Sequence, residues 1–292
     1  MHVRTGYVSA GRARLFVRDV GEGPTIVVLH GGPDFDHQYL LPELDQLGEH
    51  FRLVYYDQRG RGRSAEGVRA QDVTVESEMA DLDLVRDHVG GGPTAILAHS
   101  WGGVLAMEYA SRHPDRVTRL VLMNTAPASA VDARQYLEQR RSARPAPETE
   151  AMAALARSAA FRAGDPAVDV EYYRLHFRGA VHRPELLDRV VPRMRTGWTP
   201  QGVLTARAVE ERLGEQTWFS PGYDLLPRLR RVAAPTLVIH GEGDVVPVEL
   251  ARHVADAIPG AELSVLPECG HFAYLEAPEA VAQRVAELFA RP

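Results

Sequence analysis

The 292-residue chain has no lysine; all 33 of its basic side chains are arginine. Without a lysine amine there is no Schiff base, no Ser-Lys dyad and no P-loop or kinase-type contact to a nucleotide phosphate. Pyridoxal enzymes and ordinary NTPases are excluded on that ground. Asparagine occurs once, at Asn124, while Ala, Gly, Arg and Pro abound, a bias that reads as GC-rich coding. The single cysteine, Cys269, excludes an internal disulfide framework and fits a reducing compartment. No run approaches the roughly 18 apolar residues of a membrane span. The stretch Met1–Val20 carries Arg4, Arg12, Arg14 and Arg18 and has no apolar leader core. A net charge of -6, with every arginine run relieved by acids, argues against nucleic acid. These absences leave the expectation of a cytoplasmic enzyme or binding protein that takes a small molecule, with no nucleic-acid or membrane partner. Composition says nothing of oligomeric state.

What is present is an alternation. Gly6–Ser9 and Arg14–Asp19 flank Ala10-Gly11-Arg12 as a short hairpin. Thr25–His30, Arg52–Tyr56, Thr94–Ala98 and Arg119–Met123 are continuous apolar runs, the pattern of strands buried on both faces. Helical segments separate the later ones, at about Thr74–Val89 and Gly102–Arg112, so a parallel sheet with crossover helices is expected. From Pro127 to about Pro221 no strand run occurs. Helices are expected there over Ala128–Ala143, Glu148–Arg162, Asp165–Gly179, Pro184–Arg195 and Pro200–Leu213. Alternation then resumes with Thr236–His240, a helix near Pro247–Ala257, Ala261–Leu266 and a closing helix from Pro278. The organisation is therefore α/β, with a core of residues 1–126 and 222–292 and a helical cap, 127–221, inserted between its halves.

The hexapeptide Ala98-His-Ser100-Trp-Gly-Gly103 falls between a strand and a helix. A serine on such a sharp turn projects its hydroxyl above the sheet as a nucleophile, and small neighbours such as Gly102 let the backbone make the turn. The bland alternative is an N-cap serine. An elbow serine calls for an acid and then a histidine later in the chain. Asp244, in His240-Gly-Glu-Gly-Asp244, follows the next-to-last strand, and His271, in Cys269-Gly-His271-Phe272, follows the last. Both loops lie at the strand ends on the same rim as the elbow. Glu242 is the weaker candidate acid. The oxyanion hole needs two backbone N–H groups. Trp101 supplies one, and Gly32 in His30-Gly-Gly-Pro33 the other, with Gly31 as fallback because Pro33 has no N–H.

With His30-Gly-Gly-Pro33, Asp57-Gln-Arg-Gly-Arg-Gly-Arg-Ser64, Ser100-Trp-Gly-Gly103, Gly241-Glu-Gly-Asp244 and Gly270-His271, the chain resembles the α/β-hydrolase superfamily, most of all its proline iminopeptidase-like branch. The resemblance implies the α/β-hydrolase fold, a mostly parallel eight-stranded sheet with an inserted helical cap, and it implies that Asp57–Ser64 is a structural loop. The departures bear on substrate. The branch usually has glycine where this chain has Asp34, and Gly-Gly before the serine where this chain has Ala98-His99. True proline iminopeptidases hold the substrate amine with cap glutamates in a Trp-Glu context; here Trp198 precedes Thr199 and Trp218 precedes Phe219. The cap glutamates, Glu210 among them, read as solvated faces of amphipathic helices.

Candidate pocket residues are Gly31, Asp34, His99, Tyr172, Trp198 and Trp218. Asp34, Asp36 and His37 are too few and too irregularly spaced for a hard cation, and no His-Glu-x-x-His occurs, so neither metal nor cofactor is expected. The favoured function is a serine hydrolase that cleaves a small ester, amide or lactone through an acyl-enzyme, with Ser100 as nucleophile, His271 as base and Asp244 as its orienter. The alternatives are a proline iminopeptidase-type aminopeptidase, a triad-bearing C–C hydrolase or lyase, and a ligand-binding protein with little turnover.

Overall fold

The computed structural model describes residues 2–291. Eight strands form one sheet: β1 (Val3–Ala10), β2 (Ala13–Val20), β3 (Thr25–Leu29), β4 (Arg52–Tyr56), β5 (Thr94–His99), β6 (Val117–Met123), β7 (Thr236–Gly241) and β8 (Glu262–Leu266). Their spatial order is β1-β2-β4-β3-β5-β6-β7-β8. The hairpin β1–β2 is antiparallel and β2 meets β4 antiparallel. Every pairing from β4 through β8 is parallel. The apolar runs behave as their composition requires: Ile26–Leu29, Leu53–Tyr56 and Ala95–Ala98 are buried throughout, because helices cover both faces.

Parallel pairing brings the carboxyl ends of the strands to one edge. The register aligns Leu29 with Ala98, His99 with Met123 and Gly241 with Leu266. The residues that follow, from His30, Ser100, Asn124, Glu242 and Pro267, therefore share a rim. Behind the sheet, the helix Val75–His88 starts at a capping box in which Thr74 and Ser77 exchange hydrogen bonds. It buries Val75, Met79, Leu82 and Val85 as one stripe.

Between β6 and β7 there is no strand. Helices occupy Ala130–Ala143, Ala146–Arg157, Pro166–His176 and Pro200–Gln216, with shorter turns between them. Two sequence expectations change here. Ser158, extended and capping Phe161 N–H, breaks the helix expected over 148–162 into Ala146–Arg157 and Ala159–Arg162. The segment from Pro184 to Arg195 is a 3-10 turn, one α-turn and another 3-10 turn. Pro192, which lacks an N–H, falls inside it and interrupts the α ladder. Among the described residues no helix is long and apolar enough to cross a membrane.

Candidate active site

Ser100 ends β5 and starts the helix Trp101–Arg112, with φ 53 and ψ -122, a conformation that non-glycine residues rarely adopt. Three hydrogen bonds hold it there: its N–H donates to Met123 C=O (3.1 Å), and its C=O accepts from Gly103 (2.9 Å) and Ala126 (3.1 Å). The helix passes so close to β3 that a Cβ on Gly102 would lie 2.7 Å from the carbonyl oxygens of Leu29 and His30. The serine hydroxyl lies 3.0 Å from His271 Nε2. His271 Nδ1 lies 2.9 and 3.1 Å from the two oxygens of Asp244. A carboxylate can only accept, so Nδ1 carries the proton and Nε2 is left with its lone pair toward Ser100.

Asp244 is buried, and burial alone would raise its pKa. The neighbouring His271 and His240 and the bonds from His271 and the Val246 amide overcome this and hold it at about 2. The Val246 N–H donates to Oδ1 at 2.9 Å, and Asn124 Nδ2 donates to Oδ2 at 2.8 Å. Asn124 also donates to Gly270 C=O (2.9 Å), and its Oδ1 accepts from Ala273 N–H (3.3 Å), tying the acid loop to the histidine loop. Sequence reasoning treated Asn124 only as compositional bias. A signal existed: it is the sole asparagine in the chain and directly follows β6 on the functional rim. Glu242, the weaker candidate acid, is exposed.

The amide of Trp101 is at the first position of its helix, where N–H groups have no acceptor within the helix. Gly32 and Pro33 border the same space as Ser100. Gly31 does not serve as the fallback: its N–H is taken by the Tyr39 hydroxyl at 2.7 Å. That hydroxyl, having accepted, donates to His99 Nδ1 (2.8 Å), and His99 Nε2–H donates to the His271 carbonyl (2.8 Å). Burial pushes the His99 pKa down to about 3, so the ring is neutral and acts as a fixed strut between the oxyanion loop and the histidine loop. Tyr39→Phe leaves the Gly31 amide and His99 Nδ1 unpaired in a buried place. We expect it to lower stability by about 1–3 kcal/mol. Turnover should fall several-fold while KM stays nearly unchanged, read from melting curves and steady-state kinetics on one preparation.

The space above Ser100 is a cavity of 160 Å³. An apolar cavity of about 150 Å³ holds benzene, so the room here suits a group of that size. His99 and Trp218 are among the residues that line it, with Phe35, Phe177 and Phe272. The other candidate pocket residues lie elsewhere. Asp34 is buried in an ion network, accepting from Tyr173 Oη (2.6 Å) and pairing with Arg195, which also binds Asp169. Tyr172 packs on Phe161 at 5.1 Å. Trp198 donates to Asp36 Oδ2 at 2.8 Å and covers the Arg195 guanidinium. The Trp198 N–H is thus spent on Asp36, outside residues 127–221, and Tyr172 packs within them. Asp36, His37 and Asp57 come within 4.8 Å of one another. The carboxylate oxygens are already engaged by Gln38, Trp198, His37 and the Arg63 amide, an arrangement that braces a loop.

Two charged residues from the segment 127–221 line the cavity without having been expected there. Arg140 is one; Glu210, half-buried, is the other. Burial, and then the charge of Asp34, push the Glu210 pKa up to about 8. A carboxyl raised in the folded state binds a proton that the unfolded chain has lost, so it destabilises progressively as pH climbs from about 4.5 to 8. Glu210→Gln should therefore raise Tm at pH 8 by a few degrees and change it little near pH 4.5, measured by calorimetry across that range.

A family model for the alpha/beta hydrolase fold matches residues 24–278. The chain is 28% identical over 287 residues to proline iminopeptidase PfmaB of Pestalotiopsis fici, an alignment covering 96% of this chain and 97% of that one. The crystal structure of a proline iminopeptidase-related protein from Thermus thermophilus superposes with a TM-score of 0.72 at 30% identity, covering 99% and 98% of the two chains. The 2-hydroxy-6-oxo-6-phenylhexa-2,4-dienoate hydrolase of Rhodococcus sp. strain RHA1 superposes with a TM-score of 0.76 at 25% identity, covering 99% of each. The eight-stranded sheet with its serine turn, and these likenesses along nearly the whole length, lead to one conclusion: the chain is a hydrolase of the alpha/beta-hydrolase family, in its proline iminopeptidase-like branch.

Proposed function

We propose that this hydrolase cleaves a small ester, amide or lactone by acyl transfer to water through an acyl-enzyme on Ser100. The observation that carries the reading is the unbroken line Ser100 Oγ–His271–Asp244, with contacts of 3.0 and 2.9 Å. His271 Nε2 takes the hydroxyl proton as Oγ attacks the carbonyl, and Asp244 stabilises the imidazolium that results. The developing oxyanion is held by the amides of Gly32 and Trp101. The imidazolium then gives its proton to the leaving group, and water repeats the sequence to free the acid. Residues 127–221 act as the cap over residues 1–126 and 222–292 and limit what reaches the serine. The cavity supports a compact acyl or leaving group.

An aminopeptidase is the second reading, supported by relatives named proline iminopeptidases and by Glu210, the one cap glutamate that borders the cavity. Against it, a Glu210 that is largely protonated near neutral pH must first ionise to hold an ammonium group. The test is a panel of short-chain 4-nitrophenyl esters, lactones, proline 4-nitroanilide and its N-acetylated form. Ester or lactone turnover that disappears with Ser100→Ala supports acyl hydrolysis. Preference for the free imino terminus over the acetylated form selects the aminopeptidase.

A further inference from the structure

The cavity over Ser100 has a neighbour that shares part of its lining. A second cavity, 450 Å³, adjoins it and is bordered by Asp244, Val245, Arg144 and Glu148. Arg140 and His176 line both and so form the junction between them. Arg140 is in the last turn of the helix Ala130–Ala143, and Arg144 is its C-cap residue. They are four residues apart and therefore neighbours on the same face.

The charge at this junction is unbalanced. Arg140 donates to Tyr136 Oη and to the His176 carbonyl (2.6 Å), both neutral acceptors. Among the described residues, no carboxylate lies within ion-pair distance of Arg140 or Arg144. Glu148 faces the same space but is paired with Arg178 at 3.0 Å. His176 is held neutral, first by burial and then by the two arginines. Burial and the charge of Arg140 also lower the pKa of Arg144. Placing two part-buried guanidiniums one turn apart, with no carboxylate of their own, is unfavourable unless an anion joins them.

The helix C-terminus offers a blander reason for basic residues, since cations there offset the macrodipole. That reason does not distinguish Arg140 and Arg144 from Arg141, which occupies the same turn but is exposed and borders neither cavity. Arginine rather than an ammonium also suits a planar carboxylate, which a guanidinium can grip at two points.

We infer that Arg140 and Arg144 form a carboxylate-binding subsite at this junction, and that the hydrolase's substrate is an acyl compound carrying a carboxylate a short chain away from the scissile carbonyl. The inference rests on the acyl-hydrolase reading for its scissile carbonyl, and on the two arginines alone for its anion. Binding aligns the substrate: its carboxylate docks at the junction while the carbonyl reaches Ser100 from the inner cavity.

The test compares 4-nitrophenyl hydrogen adipate with 4-nitrophenyl hexanoate, whose acyl chains have equal carbon counts. Wild type should favour the adipate ester at least tenfold in kcat/KM. In Arg140→Gln that ratio should fall to within about threefold of one, and in Arg144→Gln it should fall at least fivefold. Arg141→Gln, with the same change in net charge, should keep the wild-type ratio. A second measurement needs no turnover: monoethyl adipate titrated by calorimetry into folded Ser100→Ala protein should bind at least tenfold more weakly once Arg140→Gln is added. If neither ester is cleaved yet this loss of binding is seen, the acyl-hydrolase reading fails and the anion subsite stands. A wild-type ratio near one, an equal fall in Arg141→Gln, or monoethyl adipate affinity untouched by Arg140→Gln overturns the subsite.

Discussion

Purified Ser100→Ala protein is expected to turn over any ester substrate about a million-fold more slowly than wild type. The size follows from the unit that the three side chains form. Once Oγ is removed, His271 has no proton to take and Asp244 no imidazolium to stabilise, so what remains is only the oxyanion donors and the shaped cavity. Those alone leave a residual acceleration of roughly 10³–10⁴ over water. His271→Ala should lose nearly as much, and combining the two should lose little more. Two independent thousand-fold losses that multiply would mean that serine and histidine do not act in one step. The Cβ at position 100 is unchanged in Ser100→Ala, and so is the backbone at φ 53. The variant should therefore melt with wild type, and its kinetics can be read without a folding correction.

The second large effect is expected of Asp244→Asn, about 10⁴-fold in turnover. An amide has the shape of the carboxylate but can present an N–H to His271. The imidazole then moves its proton to Nε2 and can no longer accept from Ser100. Val246 N–H donates to Asp244 Oδ1 at 2.9 Å and Asn124 Nδ2 to Oδ2 at 2.8 Å, so an amide at this position loses one of those bonds whichever way it turns. The wild-type carboxyl, held at about 2, is ionised throughout the range in which a hydrolase would be assayed. Its contribution to stability is complete above its ordinary value near 3.8 and is lost as pH falls toward 2. Loss of activity between pH 4 and 7 is consequently not a titration of Asp244. Tm of wild type should drop more steeply than that of Asp244→Asn as pH falls from 4 to 2, and equal slopes would contradict the lowered pKa.

Much of the molecule was legible because its signals are local. A buried parallel strand needs an apolar run, and the core strands had one each; a serine at a strand-to-helix turn dictates the order of its partners. The acid was legible to within one choice: Asp244 lies 2.9 Å from His271 Nδ1, while Glu242 is exposed. The cap was not legible in the same way. Glu210 read as one of several solvated glutamates, and only tertiary enclosure near Asp34 turns it inward. Asp34, Tyr172 and Trp198 were plausible pocket residues by type, yet Tyr172 packs on Phe161, and Asp34 and Trp198 are tied to partners far away in sequence. Asp34 and Arg195, for example, are 161 residues apart. His99 was expected to meet substrate and instead spends both ring nitrogens on Tyr39 and the His271 carbonyl. Arg140 and Arg144 were invisible as a pair, since a helix C-terminus accounts for basic residues without any site.

The central claim is that Ser100 is a nucleophile activated by His271. Its most direct measurement is the intact mass of folded protein after treatment with a fluorophosphonate, followed by peptide mapping. Wild type should gain one phosphonyl adduct located on Ser100, His271→Ala should gain it far more slowly, and Ser100→Ala should gain none. Folded wild-type protein that stays unmodified, or carries the adduct at another residue, would contradict the account.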